Sequence, residues 1–362
     1  MARARADIRI ATVYRPEHLD EIQATDMSEI RWLRVSEALA RRGYRVDMIV
    51  NLPEGIVERA PGLRCVPYAD AAWHEYDVIK TLFHKGFAAL AQAGMAGHPF
   101  IISKLGSVVG KNDDVGGVHF RGDERAALYD IQCQIAARSR YVTVLTPASR
   151  ELWKEEYGTS ERCLLVPTGV DRDVPPPGSN PYAAFSEPVA LYLGNIYGNA
   201  QRDINLAWQA RLNALGRLLR ARGIRLCFVG TGLVDQLDAS CVTNLGSARN
   251  DRAWDYQYFA RVGIALAQGP IQDNESSKIY YYLRTGLPVV AEASIPNCAL
   301  IQAAECGIVT PYGDDERMAA SIETSVNTTW DQEAAVRYTL ENHTWDQRAL
   351  AYDRVIRERL PS

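Results

Sequence analysis

The segment QDNESSKIYYYLRTGLPVVAE, residues 272–292, brings together side chains that suit the binding of an anionic ligand. The apolar run GIALAQG before it and LPVVAE at its end predict two strands, with a loop and a helix between them. Ser276 or Ser277 is suited to cap this helix, and the free N–H groups of its first turn would attract a diphosphate. Lys278 in the same turn would add a positive charge for a phosphate oxygen.

Three further side chains of this segment belong to the same hypothesis. Asp273 and Glu275 are hydrogen-bond acceptors suited to the hydroxyls of a sugar or a ribose. Tyr281 lies three residues after Lys278 and therefore on the same face of the predicted helix. The alternative interpretation is a solvated helix cap followed by tyrosines that pack on the sheet.

Two glycine turns elsewhere follow predicted strands. In LYLGNIYGN the chain turns at Gly194, where a glycine either lets backbone N–H groups approach a ligand or makes a tight turn without further role. CFVGTGLVDQL begins like a dinucleotide-binding fingerprint, but Asp235 stands where the third glycine is required. A nicotinamide-dependent oxidoreductase is therefore supported by the fold class alone.

The composition is that of an ordinary globular protein large enough for two domains. The chain has 362 residues, of which 47% are hydrophobic and 23% charged. A net charge of −4 argues against nucleic acid as the main partner but leaves open a local basic patch for an anionic substrate or a membrane surface. Seven scattered cysteines without a C-x-x-C spacing indicate reduced thiols and a cytoplasmic protein. No apolar run approaches the ~18 residues of a membrane span, and the first residues predict a ragged terminus before a strand, not a signal peptide.

Strand and helix signals alternate in two series along the chain. The first series runs from IRIATVY to YVTVLTP and the second from VALYLGN to GIVTPYG. Such alternation predicts a parallel sheet covered by helices on both faces, and the Pro-, Ser- and Gly-rich stretch between the series predicts a linker. We therefore expect two doubly wound α/β domains, residues 1–172 and 189–340, with a linker at 173–188 and a final helix within 341–362. Ligands of such sheets bind beyond the carboxyl ends of the strands, here in a cleft between the domains.

The order of these pieces resembles that of the GT-B glycosyltransferases, in particular the group 1, family 4-like superfamily. ESSKIYYYLRTGLPVVAE is similar to their donor-nucleotide motif, LLVPTGVD to their interdomain segment and LYLGN to the opening strand of their second domain. FVGTG and VTNLGS are similar to the strands that line the nucleotide base, and HTWDQRALAYDRVI to the closing helix that crosses back to the first domain. The resemblance extends from residue 7 to the end of the chain. It implies the GT-B fold, two Rossmann-like domains with the donor in the interdomain cleft.

The resemblance also implies roles for individual residues. It places the donor beside a set of second-domain residues that comprises Gly194, Asn195, Arg202, Gly230, Ser276, Ser277 and Lys278. Asp273 and Tyr281 stand where many retaining members have two glutamates; the aspartate can still accept a hydrogen bond from the sugar, whereas the tyrosine cannot grip two ribose hydroxyls as a carboxylate does. The S-S-x-K helix start resembles xanthan-type glucuronosyltransferases, which are inverting. Their catalytic aspartate would fall near Ser107 and is therefore not carried over.

Candidate groups for the acceptor side lie in the first domain. An inverting transferase needs a carboxylate or a histidine to take the proton of the acceptor hydroxyl. His84 follows the predicted strand DVIKTLF, and Asp113 and Asp114 lie in a glycine-flanked loop. The alternatives are a hydrogen-bonded core histidine and an ordinary solvated loop. Arg31 and Arg34 on the first helix could reach an acceptor anion, although the pattern favours a solvated helix face.

Together these features predict a hexosyltransferase. The enzyme would move a sugar from a UDP-, GDP- or other nucleotide-diphosphate sugar to the hydroxyl of a saccharide, lipid-linked or small-molecule acceptor, in glycan or glycoconjugate biosynthesis. No cofactor and no metal are expected, because H-E-x-x-H, His/Cys clusters and a suitable Asp-x-Asp motif are absent from the sequence. The expected location is cytoplasmic, with peripheral contact at the inner membrane face left open. The alternative is a GT-B relative that does not transfer, such as a nucleotide-sugar epimerase or a non-catalytic binding subunit, because Tyr281 replaces a glutamate and no base is evident.

Overall fold

The computed structural model describes most of the chain, namely residues 4–14, 27–50, 55–112, 120–158, 160–196, 202–269 and 274–360. Contacts divide the chain into two compact units. We call residues 1–169 together with 345–362 the first unit, and residues 170–344 the second unit. All seven cysteines are free thiols, and five of them are buried.

The first unit is built on an eight-stranded sheet. Its strands are β1 (Arg9–Val13), β2 (Arg45–Val50), β3 (Val57–Ala60), β4 (Leu63–Pro67), β5 (Val78–Leu82), β6 (Ile101–Lys104), β7 (Tyr141–Val144) and β8 (Cys163–Leu165). Their spatial order is β3-β4-β2-β1-β5-β6-β7-β8, and every neighbouring pair is parallel except β3 with β4. The helices between these strands are α1 (Met27–Arg41), α2 (Phe83–Gln92), α3 (Gly122–Arg138) and α4 (Pro147–Tyr157).

The second unit is built on a six-stranded, wholly parallel sheet. Its strands are β9 (Val189–Leu193), β10 (Arg225–Val229), β11 (Val242–Asn244), β12 (Val262–Ala265), β13 (Val289–Glu292) and β14 (Gly307–Thr310), in the order β11-β10-β9-β12-β13-β14. Its helices are α5 (Arg202–Ala221), α6 (Asn250–Phe259), α7 (Ser277–Arg284), α8 (Ala299–Ala303), α9 (Asp315–Asn327) and α10 (Gln332–Asn342). The two sheets confirm the predicted class of two doubly wound α/β units.

Local sequence explains where several helices begin and end. Thr146 accepts a hydrogen bond from Ser149 N at the start of α4, and Pro147 fits its first turn because the missing N–H would be unpaired there in any case. Gly158 ends α4 in the left-handed conformation that glycine adopts without a steric cost. The carboxylates of Asp314 and Asp331 cap α9 and α10 in the same way as Thr146.

The last helix, α11 (Trp345–Arg359), belongs to the first unit although it ends the chain. Its buried Trp345 and Tyr352 join the core that β1, β2 and α1 also line. Asp353 on the same helix accepts hydrogen bonds from three side chains that lie more than 300 positions earlier in the chain, namely Arg5, Arg42 and Tyr44. The bonds from Arg5, Tyr44 and Arg42 hold the pKa of the Asp353 carboxyl well below its usual range, against the opposing effect of burial. The helix is therefore fixed by both apolar packing and charge.

The stretch 173–188, to which the sequence assigned a linker, packs within the second unit. Tyr182 is buried beside Val189 and Cys227, and its hydroxyl donates to Tyr256 O. Gly178 N donates to the carboxylate of Asp255 at 2.7 Å. Because it is rich in proline, serine and glycine, this stretch forms no helix or strand. It nevertheless packs on the second unit through the buried ring of Tyr182.

Candidate functional site

The strand order of the second unit singles out one edge of its sheet. From β9 the chain first proceeds outward through β10 to β11, and then returns to place β12 on the other side of β9. In open α/β sheets ligands bind beyond the carboxyl ends of the strands at such a reversal, because the two flanking loops diverge there. Gly194 directly follows β9, and the loop after β12 leads to α7.

Gly194 and Lys278 meet at this edge. A Cβ built on Gly194 would lie 2.7 Å from Cε and 2.8 Å from Nζ of Lys278, so the lysine lies directly against the glycine Cα. The φ of Gly194 is +154°, a backbone conformation that residues other than glycine rarely adopt. The ammonium lies 4.9 Å from the ring centroid of Tyr192, the fourth residue of β9. The glycine is therefore required for close approach, as well as for the turn.

The charge of Lys278 is not neutralised by the described part of the chain. None of the described residues forms an ion pair or hydrogen bond with its ammonium. Partial burial disfavours the charged form and lowers the pKa of Lys278 to about 8. Lys278 is thus a cation in the first turn of a helix, packed against a glycine of another loop and without a counter-ion among the described residues. This arrangement is expected of an anion-binding site.

The hydrogen bonds that fix the start of α7 are not the predicted ones. Ser276 is at the N-cap position, but its side chain forms no capping hydrogen bond, so the predicted serine cap is wrong. Asn297 instead binds the backbone of Ser276 on both sides: Ser276 N donates to Asn297 Oδ1 at 2.8 Å, and Asn297 Nδ2 donates to Ser276 O at 2.9 Å. This asparagine lies 21 residues away, and the motif offered no signal for it. Ser277 is the first residue of α7.

A buried tyrosine fixes α7 to the sheet. The hydroxyl of Tyr282 accepts from Leu193 N at 2.9 Å and donates to Leu191 O at 3.3 Å. Its ring occupies the space beside Gly263, where a Cβ would lie only 2.4 Å from the ring. Lys278 and Gly194 are therefore held on two elements that are themselves bonded together.

The other residues of the motif contact protein groups. Glu275 accepts a hydrogen bond from Tyr280 Oη at 2.8 Å. Tyr281 is only 7% exposed and stacks on Trp254 of α6, with ring centroids 5.4 Å apart. The predicted contact of Tyr281 with the donor stays a prediction, and the packing of its ring agrees with the alternative interpretation of these tyrosines.

The loops after β9 and β10 are locked together. Asn195 Oδ1 accepts hydrogen bonds from both N and Oγ1 of Thr231, at 3.1 and 2.9 Å. A Cβ on Gly230 would lie 2.0 Å from Gly194 O, so this glycine permits the contact of the two loops. The positions predicted at Gly194, Asn195 and Gly230 therefore lie in two loops that are bonded to each other, and Gly194 contacts Lys278.

Glu292, which the sequence analysis did not single out, organises the neighbouring loops. It ends β13, is fully buried and accepts hydrogen bonds from Ala267 N at 2.6 Å and from Gly313 N at 2.7 Å. The guanidinium of Arg211 on α5 binds both of its carboxylate oxygens. This carboxylate thus holds the segment after β12 that leads toward α7.

Four predicted positions cannot be placed in full. Asp113, Asp114 and Asp273 lie outside the described residues, and so does the side chain of Arg202, whose backbone begins α5.

His84 lies in the first unit, at the carboxyl end of β5. No separate loop follows β5, because Phe83 takes a φ of +56° and turns the chain directly into α2. His84 is the second residue of α2, is partly buried and has its ring edge-on to Phe120 with centroids 6.5 Å apart. A bulky residue at positive φ is a strained conformation that clusters at functional sites.

Comparison with solved structures identifies the fold. No protein-family model matches the chain, and a comparison with curated proteins found no match. Sucrose-phosphate synthase from Thermosynechococcus elongatus is similar over 97% of this chain and 98% of its own, with a TM-score of 0.68 and 14% identity. HepE from Anabaena, solved in complex with UDP, is similar over 96% and 99%, with a TM-score of 0.68 and 14% identity. WaaG, a glycosyltransferase involved in lipopolysaccharide biosynthesis, is similar over 96% and 99%, with a TM-score of 0.61 and 18% identity. The chain has the GT-B fold of these proteins, as the motifs implied.

No helix within the described residues is both long and apolar enough to span a bilayer.

Proposed function

We propose that the protein transfers a sugar from a nucleotide-diphosphate sugar to an acceptor hydroxyl, with the donor diphosphate bound by the second unit. The observation that carries this proposal is the contact of Lys278 with Gly194 at the strand reversal. A positive charge, the N–H groups at the start of α7 and a glycine that exposes backbone are together suited to two adjacent phosphates. The GT-B fold of the chain supports the same assignment.

Lys278 would act on the leaving group. Breaking the bond between the sugar and the diphosphate places negative charge on the phosphate oxygen, and a fixed ammonium stabilises that charge as it develops. Lysine suits this role because its charge is compact, and its end lies directly against the Cα of Gly194. We infer that this charge takes the part a metal ion plays in other transferases.

The group that takes the proton of the acceptor hydroxyl is proposed to lie in the first unit. His84 is the candidate that the structure describes, at the carboxyl end of β5 after the strained Phe83. Asp113 and Asp114 remain candidates from the sequence. The acceptor is proposed to be a saccharide, lipid-linked or small-molecule alcohol, and a lipid-linked acceptor would bring the protein into peripheral contact with a membrane.

The donor is proposed to be a UDP-hexose, because HepE was solved with UDP and also with UDP and glucose. The test is calorimetric titration of the protein with UDP, GDP and ADP, followed by the variant Lys278→Met. We expect wild type to bind one of the three nucleotides and the variant to bind it about 10- to 100-fold more weakly, since a charge-assisted contact is lost. Lys154→Met, at an exposed lysine on α4, should bind as wild type does.

Two results would contradict the proposal: no binding of any of these nucleotides, or unchanged affinity in Lys278→Met. Incubation with the donor sugar alone separates the remaining alternative. Slow hydrolysis supports a transferase, whereas release of an epimerised sugar supports a GT-B epimerase.

A further inference from the structure

A second lysine, which unlike Lys278 is almost fully buried, lies at the corresponding reversal in the first unit. There β1 and β5 are neighbours, while β2 continues the sheet beyond β1 and β6 continues it beyond β5. Lys80 is the third residue of β5 and pairs in register with Thr12 of β1. Only 3% of Lys80 is exposed. It therefore sits inside the unit, two residues before the carboxyl end of its strand.

The surroundings of Lys80 are neutral or positive. Its ammonium lies 5.1 Å from the ring centroid of Tyr352, and it has no hydrogen bond or ion pair with any described residue. Burial, and then the positive charge of Arg31, lower the pKa of Lys80 to about 7. A tyrosine ring attracts a cation, but this contact is weak compared with the cost of removing an ammonium from water.

Two more cations are buried near this face of the sheet. Lys104 pairs in register with Leu82, which lies two residues after Lys80 and so on the same face. Lys104 is 1% exposed, and its ammonium donates to Val166 O at 3.3 Å. Arg31 is 8% exposed and donates to Thr168 Oγ1 at 2.8 Å, so the predicted solvated helix face is wrong for this arginine.

The buried carboxylates in the described part of this unit are engaged elsewhere. They are Asp47, which binds Arg64, Arg9 and Tyr76, and Asp353 of α11, which binds Arg5, Arg42 and Tyr44. Neither of them contributes to the electrostatic environment of Lys80. Lys80 is therefore a buried amine without a carboxylate partner among the described residues, at a place where α/β sheets bind ligands, and an anionic ligand would stabilise its charged form.

We propose that Lys80, with Arg31 beside it, binds an acidic oxyanion of the sugar acceptor, a phosphate or a carboxylate. Buried cations of this kind recognise oxyanions strongly because little solvent competes with the contact. The site would thereby select acidic acceptors over neutral ones. The inference rests on the proposed transfer reaction only for identifying the ligand as the acceptor; the oxyanion site itself does not depend on it.

The experiment follows the lysine directly by NMR. The chain has six lysines, at positions 80, 85, 104, 111, 154 and 278, so a protein labelled with ¹³C at lysine Cε gives few signals. The Lys80 signal is assigned as the one that Lys80→Arg removes. Full-length protein is titrated with sulfate, with glucose 6-phosphate, with glucuronate and with glucose, at constant ionic strength. We expect the Lys80 signal to move with sulfate and with at least one acidic sugar but not with glucose, and the two acidic sugars distinguish phosphate from carboxylate.

Affinity measurements provide the second readout. Lys80→Met should weaken binding of the acidic sugar about tenfold or more, since a charged hydrogen bond is lost, whereas Lys154→Met should not change it. Lys80→Met should keep the UDP affinity of wild type, because donor binding is assigned to the second unit. An unmoved Lys80 signal with all three anions, or wild-type affinity in Lys80→Met, overturns the proposal. If Lys80→Met does not fold, the NMR titration of the wild-type protein decides alone. If the acidic sugar binds at Lys80 but no nucleotide binds, the proposed function fails and the oxyanion site stands.

Discussion

Lys278, on a helix, and Lys80, within a strand, lie at the corresponding reversals of strand order in the two units. Each lies at the reversal of the strand order, and each ammonium lies about 5 Å from the centroid of a tyrosine ring, at 4.9 and 5.1 Å. Their settings differ: Lys278 is on the first turn of a helix, partly exposed and packed against a glycine, whereas Lys80 is within a strand and almost fully buried. A partly exposed helix start suits a ligand with two phosphates, and a single buried ammonium suits one compact oxyanion.

A change of pH should have the largest effect on anion binding and should distinguish the two lysine sites. Both lysines bind anions in their charged form, and the pKa is lowered to about 8 for Lys278 and to about 7 for Lys80. As pH rises through each value the lysine loses its proton, so anion affinity is full below that pH and falls above it, by up to about tenfold for each pH unit. We expect UDP affinity to fall above about pH 8, and sulfate binding at Lys80 to fall from about one unit lower.

Sulfate is the suitable probe for Lys80 because its own charge is constant in this range. The UDP titrations run from pH 7.5 to 9.5 by calorimetry, and the sulfate titrations follow the Lys80 NMR signal. Lys278→Met should remove the pH dependence of UDP binding. Equal pH dependence at both sites would mean that the different burial of the two lysines has no functional consequence.

Gly194→Ala should give the next largest effect and act on one site alone. The new Cβ would meet Cε and Nζ of Lys278 at 2.7 and 2.8 Å, and the flexible end of the lysine must move away. We expect UDP affinity to fall about tenfold, the loss of one charge-assisted contact, with anion binding at Lys80 unchanged. Calorimetry with UDP and the NMR titration with sulfate measure the two effects.

Gly223→Ala is the matched control. Gly223 also has a positive φ, +70°, but a Cβ there meets no atom within 4 Å. It should reduce thermal stability through backbone strain and leave UDP affinity intact. If it weakens UDP binding as much as Gly194→Ala does, strain rather than the contact with Lys278 explains both.

Asn297→Ala should give the smallest effect. It removes both hydrogen bonds to the backbone of Ser276 and so loosens the first turn of α7 without touching Lys278. We expect UDP affinity to fall about threefold and stability to fall by about 1–2 kcal/mol. Asn213→Ala is the control, because Asn213 forms an equivalent pair of bonds to the backbone of Gln236 and Asp238 in the same unit. A similar loss of stability with unchanged UDP affinity in the control would assign the effect to the helix start.

The features that the sequence predicted well are local ones. Alternating apolar runs predicted the strands of the second sheet and β1, β2, β5, β6 and β7 of the first, but not β3, β4 or β8. The strand, loop and helix around Lys278 follow from Gly, Ser and apolar spacing over about 20 residues. The resemblance to GT-B enzymes added the order of the pieces and the fold. Lys278 and Gly194 were both singled out, but their direct contact was not predicted.

The features that the sequence missed depend on distant contacts. Lys80 occupies a strand position that looks like any other in DVIKTLF, and its burial depends on α1 and α11 covering that face of the sheet. Asn297 and Glu292 act on backbone groups far from them in sequence, so no short motif contains them. Three consecutive tyrosines cannot reveal by spacing that Tyr282 binds β9 while Tyr281 stacks on Trp254.

The closing helix has a consequence for how the protein is made. Tyr352, whose ring lies under Lys80, belongs to α11, and Trp345 and Asp353 complete the same unit from the same helix. During synthesis an N-terminal domain usually folds before the rest of the chain emerges, but this one lacks its last element until the entire second unit has been translated. The first unit is therefore begun before the second unit and completed after it, and the oxyanion site proposed within it is assembled only after α11 has been translated.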